Sequence, residues 1–171
     1  MSLSLHAEID IRAPAALVFT VLSTPERLPE WNTSVESARR VAPGEAVGLG
    51  SRAVFIGRLM GQLLESETQV VEFEKPSRFA TQAVRGPRLH SRFALGSQPF
   101  GTHLAVAVTG EVPGGRLGAI VAEGFLRSEL SRSLERLRVL CEREAAVAAA
   151  TEPVSGGDPA CWLHLEESRD D

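Results

Sequence analysis

The sequence predicts an α+β domain: seven antiparallel strands in a meander, two short helices between the first and second strands, and one long helix after the last. Three observations carry this. Residues 3 to 12, "LSLHAEIDIR", alternate apolar and polar without a break, the pattern of a strand with one face buried. After Trp31, six further period-two segments follow one another across short turn sequences, which favours pairing of each strand with the next. From Arg116 the chain then continues for about thirty residues without a proline, which marks a long helix.

In the first strand Leu3, Leu5, Ala7, Ile9 and Ile11 share one face, and Ser4, His6, Glu8, Asp10 and Arg12 the other. Pro14 suits the first turn of a helix, where its missing N–H has no partner to lose, and Leu17, Val18, Val21 and Leu22 follow at helical spacing. Thr24 offers a cap, Pro25 restarts a helical turn, and Pro29 is read as its stop before Trp31. Residues 34–41 form a weak strand and 42–50 a loop with glycines; 51–57 and 63–73 are strands joined through "RLMGQ", followed by strands at 78–84, 88–95 and 102–112.

Along 63–73, Leu64, Ser66, Thr68 and Val70 face inward and Glu65, Glu67 and Gln69 outward, while the adjacent Val70 and Val71 predict a bulge. A final hairpin turn centred on residues 97–99 sets Phe93 opposite Leu104, Ser91 opposite Val106 and Leu89 opposite Val108, with the apolar side chains on one face. "PGG" at 113–115 closes the sheet. In the terminal helix Leu117, Ile120, Val121 and Gly124 define one line, and Leu126, Leu130, Leu134, Leu137 and Cys141 another. The two lie more than a quarter turn apart, so a bend or a change of packing partner is expected near Gly124.

The 171 residues, 43% of them apolar, suit one compact domain over 1–146, with a C-terminal tail over 147–171. In that tail "TEPVSGGDP" has linker chemistry and "DPACWLHLEE" reads as a capped helix start, with Asp158 as the cap. The two cysteines, Cys141 and Cys161, are too few and too far apart for a disulfide framework or a zinc site, and no metal or other cofactor is expected. No charged start precedes an apolar signal region, and no apolar run approaches the roughly 18 residues of a membrane span, so a soluble cytoplasmic protein is expected. A net charge of −4 without a basic block argues against nucleic acid as a partner. Lys75 is the only lysine and tyrosine is absent, which excludes most Schiff-base and phenol mechanisms.

Three stretches, "IDIRAPAALVFTVLSTPERLPEWN", "VVEFEKPSRF" and "GEVPGGRLGAI" leading into the arginine-rich helix, give the chain its resemblance to the START-like, or SRPBCC, superfamily, nearest its polyketide cyclase/dehydrase branch. The resemblance covers residues 3 to about 145. It implies a helix-grip fold, in which a curved sheet wraps the long helix, the two small helices plug one end, and a cavity lies between sheet and helix. Phe19, Leu22, Leu28 and Trp31 are then the apolar contacts of the plug.

Reading the inward positions onto that fold lines the cavity with Trp31, Phe55, Leu64, Ser66, Thr68, Val70, Phe79, Thr81, Phe93, Leu104 and Val106, and with Ile120, Val121, Gly124, Phe125 and Ser128 from the helix. Such a lining, apolar with scattered hydroxyls, suits a small hydrophobic molecule; the plain alternative is that the side chains meet and fill the space. No catalytic residue stands out. Glu72 points inward only without a bulge, Arg85 shares the parity of Phe79 and Thr81 and so stands at the cavity rim or at a solvated hairpin end, and His6, His90 and His103 fall on outward faces. Cys161 and His164 are two ligands at most. The leading expectation is binding or transport of a lipid, polyketide or isoprenoid-like ligand. A polyketide cyclase, aromatase or dehydratase is the enzymatic alternative, and an interaction module that dimerises or takes a protein partner through Trp162, Leu163 and Leu165 is the third.

Overall fold

The computed structural model describes residues 2–111 and 116–152. Seven strands form in the expected order: β1 (Ser2–Ile11), β2 (Val35–Arg40), β3 (Arg52–Leu59), β4 (Gln62–Glu74), β5 (Arg78–Arg85), β6 (Leu89–Gln98) and β7 (Gly101–Glu111). They make one antiparallel sheet in the order β1-β7-β6-β5-β4-β3-β2. Strands β2 to β7 therefore meander, whereas β1 pairs with β7 at the far edge. The chain must cross the whole sheet between β1 and β2. It does so with α1 (Ala15–Ser23), a 3₁₀ turn (Pro25–Arg27) and α2 (Leu28–Trp31).

Each proline on that crossing has a local role. Pro14 stands at the cap of α1, and its carbonyl accepts from the backbone N–H groups of Leu17 at 3.0 Å and Val18 at 3.1 Å. Pro29, read from sequence as a stop, instead sits in the first turn of α2, where no N–H is needed. Thr24 occupies the cap position of the 3₁₀ turn without capping it; its hydroxyl donates back to the Thr20 carbonyl at 2.7 Å.

The sheet is curved, and its bulges supply a reason. The pairing slips between Val35 and Ser37 on β2, between Glu67 and Thr68, and between Val70 and Glu72 on β4. In the last two the unpaired extra residue is an exposed valine, Val84 on β5 and Val71 on β4. A bulge bends its strand and increases the local twist. The second consequence is that parity changes across each one. Beyond Val71, Phe73 turns inward to pair with Phe79, and Glu72 lies outside against Arg78 and Arg92. Beyond Val84, Arg85 leaves the inward row and pairs with Glu65. The β3–β4 turn is two residues long, Met60 at φ 50° and Gly61 at φ 82°, the mirror-type turn that matches strand twist.

The last hairpin is tighter than its sequence implies. Gln98 pairs with Gly101, so only Pro99 and Phe100 turn, and Phe93 faces Val106 while Ser91 faces Val108. This is a shift of two from the expected register, which preserves the inward face.

Helix α3 (Arg116–Thr151) is continuous through Gly124 and past residue 146, so residues 147–151 extend it. Its buried row runs Ala122, Ser133, Leu134, Leu137, Leu140 and Cys141. Ile120 and Val121 are each 61% exposed; Val121 sits roughly 140° round the helix from Leu126 at 100° per residue. Ile120, Val121 and Gly124 of the first stripe are left outside, and the helix runs on through Gly124 as one element. The core joins that helical row to Ile11 of β1, Val18, Phe19 and Leu22 of α1, Trp31 of α2, and Leu104 and Val106 of β7. Phe19 enters edge-on between Phe73 and Phe79, at ring separations of 5.3 and 6.2 Å, and Phe79 stacks on Phe93 at 5.9 Å. The 113–115 turn, the Leu117 side chain, Asp158, Cys161, Trp162, Leu163, His164 and Leu165 lie outside the described residues.

Candidate functional site

Between the inner face of the sheet and the middle of α3 the packing stops, leaving a cavity of about 270 Å³. Its floor consists of inward residues of β3 to β7, one end is closed by Leu22, Leu28 and Trp31, and Val47 of the 41–51 loop reaches its side. The roof is Leu126, Glu129, Leu130 and Ser133 of α3. Small residues set among the larger ones of the floor leave room for the space. Ala53, Gly57, Ser66, Thr68, Thr81, Ala83 and Ser91 all line it, and Thr68 has Ala53 opposite on β3 and Ala83 opposite on β5.

Ten of the side chains named from sequence lie on this wall: Trp31, Phe55, Leu64, Ser66, Thr68, Val70, Phe79, Thr81, Phe93 and Val106. Leu104 does not; it is fully buried within the solid core. The helical positions Ile120, Val121, Gly124, Phe125 and Ser128 do not either. A Cβ at Gly124 meets nothing within 4 Å, because the helix turns this stripe away from the sheet. The true roof residues carried a sequence signal all the same: Leu126 and Leu130 belong to the second apolar line, and Glu129 and Ser133 stand three residues after each of them on the same face.

A polar cluster interrupts the apolar lining where the α2–β2 connection meets α3. Glu129, its side chain only 15% exposed, accepts at one oxygen from the Thr33 hydroxyl at 2.7 Å and the Ser34 hydroxyl at 3.3 Å. Its other oxygen accepts from Arg132 Nη1 at 2.9 Å. Independently, the Thr33 backbone N–H donates to Ser133 Oγ at 3.1 Å, and the two hydroxyls lie 3.1 Å apart. Trp31 is buried on the same wall, and its indole N–H has no hydrogen-bond partner among the described residues.

Away from the cavity, the ionisable groups are tied into the scaffold. Arg27 binds both Glu30 and Glu144, which fastens the small helices to α3, and this hydrogen bonding holds the Glu144 carboxyl below its usual value. Burial pushes the Cys141 thiol up to about 12, so it stays protonated packing material. On the outer sheet face His103 meets Asp10 at 2.7 Å, which raises its pKa. Among the described residues no three His, Cys, Asp or Glu side chains gather where they would hold a metal ion, and no helix is long and apolar enough to cross a membrane.

Three solved structures illustrate how widely this architecture occurs. A Thermus thermophilus protein superposes with a TM-score of 0.69 at 20% identity, over 86% of this chain and 99% of its own. A START superfamily protein from Mycobacterium smegmatis gives 0.62 at 20%, over 85% and 98%. The di-domain ARO/CYC BexL of the BE-7585A biosynthetic pathway gives 0.65 at 20%, over 84% of this chain and 50% of its own. These likenesses speak for the fold. No curated protein matches the chain in sequence. Residues 2–142, which include every element that walls the cavity, match the family model for polyketide cyclase / dehydrase and lipid transport proteins, and the chain belongs to that family.

Proposed function

We propose that the protein binds a small hydrophobic or amphipathic molecule between the sheet and α3. The observation that carries this reading is the unfilled cavity of about 270 Å³, close to the lower end of the roughly 300–1,000 Å³ range of small-molecule sites. An interior that had no occupant to accommodate would be expected to close-pack. Its walls are largely aliphatic and aromatic, and the hydroxyls of Ser66, Thr68, Thr81 and Ser91 offer orienting contacts. Lipid transport is one of the roles in the family's description.

Thr68→Trp tests it. The indole would occupy the space between Ala53 and Ala83, so the variant is expected to melt at or above the wild-type temperature while losing any ligand that native mass spectrometry and lipid extraction find on the purified protein. Equal retention by the variant would remove the cavity from consideration. The cyclase or dehydrase reading is favoured by the other half of the family's description and by the carboxylate on the wall. Confining a reactive chain in one folded shape accelerates ring closure without a strong base, and conversion of a linear poly-β-ketone by the purified protein is its direct test.

A further inference from the structure

We propose that the cavity selects ligands whose polar end is an uncharged hydrogen-bond donor, a hydroxyl or phenol, and discriminates against carboxylates, with Glu129 as the selecting group. This rests on the cavity reading above and gives it a ligand class. Among the described residues three charged ones border the cavity: Arg52, Arg58 and Glu129. The two arginines are about half exposed and engage Glu67 and Glu36. Glu129 is the largely buried one, so the charge held against the apolar interior is negative.

Its bonding says what it has left to offer. A carboxylate has about four acceptor sites and no donor. Thr33 and Ser34 fill two of them at one oxygen and Arg132 one at the other, which leaves room for roughly one more donor. The hydroxyl protons of Thr33 and Ser34 are spent on the carboxylate. At Glu129 the cavity therefore presents an acceptor, and an incoming acceptor placed against that carboxylate would face another.

A purely mechanical role explains the carboxylate less well. The α2–β2 connection is already tied to α3 by the two contacts between Thr33 and Ser133, which need no charge. A carboxylate on an apolar wall carries a desolvation cost, and a hydroxyl or phenol delivered by a ligand reduces it. A ligand carboxylate in the same place adds like-charge repulsion beside the largely buried Glu129. Arg132, which is largely exposed and does not line the cavity, offsets part of the Glu129 charge from the solvent side, so the ligand need not be a cation.

The experiment is calorimetric titration of the full chain with two probes of matched shape, 1-naphthol and 1-naphthoate, at neutral pH. Wild type should bind naphthol about tenfold or more tightly than naphthoate, the size expected of one hydrogen bond to a charged acceptor. Glu129→Gln keeps the shape and an acceptor but removes the charge. It should bring the two affinities to within about threefold of one another, mainly by improving naphthoate. Equal affinities in wild type, or a preference that Glu129→Gln leaves unchanged, would overturn the assignment while leaving the cavity reading intact. Failure of wild type to bind either probe would overturn both.

Discussion

Leu130 and Leu137 are seven residues apart on α3 and so share a face of the helix, yet they meet different interiors. Leu137 is fully buried in the core with Ile11, Val18, Phe19 and Leu104, whereas Leu130 is half-buried above the cavity. The helix presents the same side chain to both. What differs is the surroundings: Leu137 belongs to a core cluster with large residues of β1, α1 and β7, whereas Leu130 lies over a floor into which β3 to β5 set Ala53, Gly57, Ser66, Thr68, Thr81 and Ala83. The cavity is a property of the sheet.

Truncating both leucines breaks this comparison most forcefully. Leu137→Ala should cost about 2–5 kcal/mol, since it removes well-packed methyl groups and leaves a void that its neighbours cannot close. Leu130→Ala enlarges a space that already exists, and a cost of about 1 kcal/mol, or less than half that of Leu137→Ala, is expected. Denaturant melts of the two variants would measure the difference; equal losses would mean that the cavity is packed as tightly as the core.

Gly57 sharpens the comparison within the hollow half. It faces Val35 at the β2 bulge, and a Cβ built there would lie 2.1 Å from the Ser34 carbonyl oxygen, which accepts the Arg58 N–H at 2.8 Å. Here the backbone itself is close-packed beside an open cavity. Gly57→Ala should cost about 1–3 kcal/mol through that overlap. Because Ser34 also contacts Glu129, the variant should change ligand affinity along with melting temperature. A change in stability with unaltered binding would separate the strand bulge from the site.

The sheet was legible because alternation is a local pattern, and every strand formed within three residues of its expected bounds. Register was less so: the β6–β7 turn is short enough to move pairing by two without moving any residue to the other face, so the apolar pattern could not distinguish the two alignments. Floor residues of the cavity followed from parity up to the bulges, and the adjacent valines 70 and 71 announced one of these. The valine at 84 gave no comparable warning, and Arg85 changed faces there. The roof was misread for a different reason. Ile120 and Val121 are as apolar as any core pair, and only tertiary packing decides which of two stripes the sheet receives. Glu129 is not legible in the sequence, because a charge on an apolar line reads as an interruption until its hydroxyl partners, about a hundred residues earlier in the chain, are brought alongside.

The smallest expected effect comes from the ion pair that holds the small helices onto the packed half of α3. Arg27 hydrogen-bonds Glu144 and Glu30, and the Arg27 and Glu144 side chains are 23% and 33% exposed, so solvent screens the attraction and a contribution of about 1 kcal/mol or less is expected. The Arg27 hydrogen bond holds the folded-state pKa of Glu144 below its ordinary 4.5. A depressed carboxyl stabilises the fold above the unfolded-state value and loses that contribution as pH falls through the folded-state value. Arg27 stays charged throughout this window, and its other partner Glu30 is present in both proteins, so the difference between them reports on Glu144. Glu144→Gln should therefore melt below wild type at neutral pH, and the gap should close progressively as pH is lowered from about 4.5, as well as with added salt at neutral pH. A gap that persisted unchanged into acid would show that the carboxyl contributes by shape and hydrogen bonding, and that the packed half of the helix is held by its leucines alone.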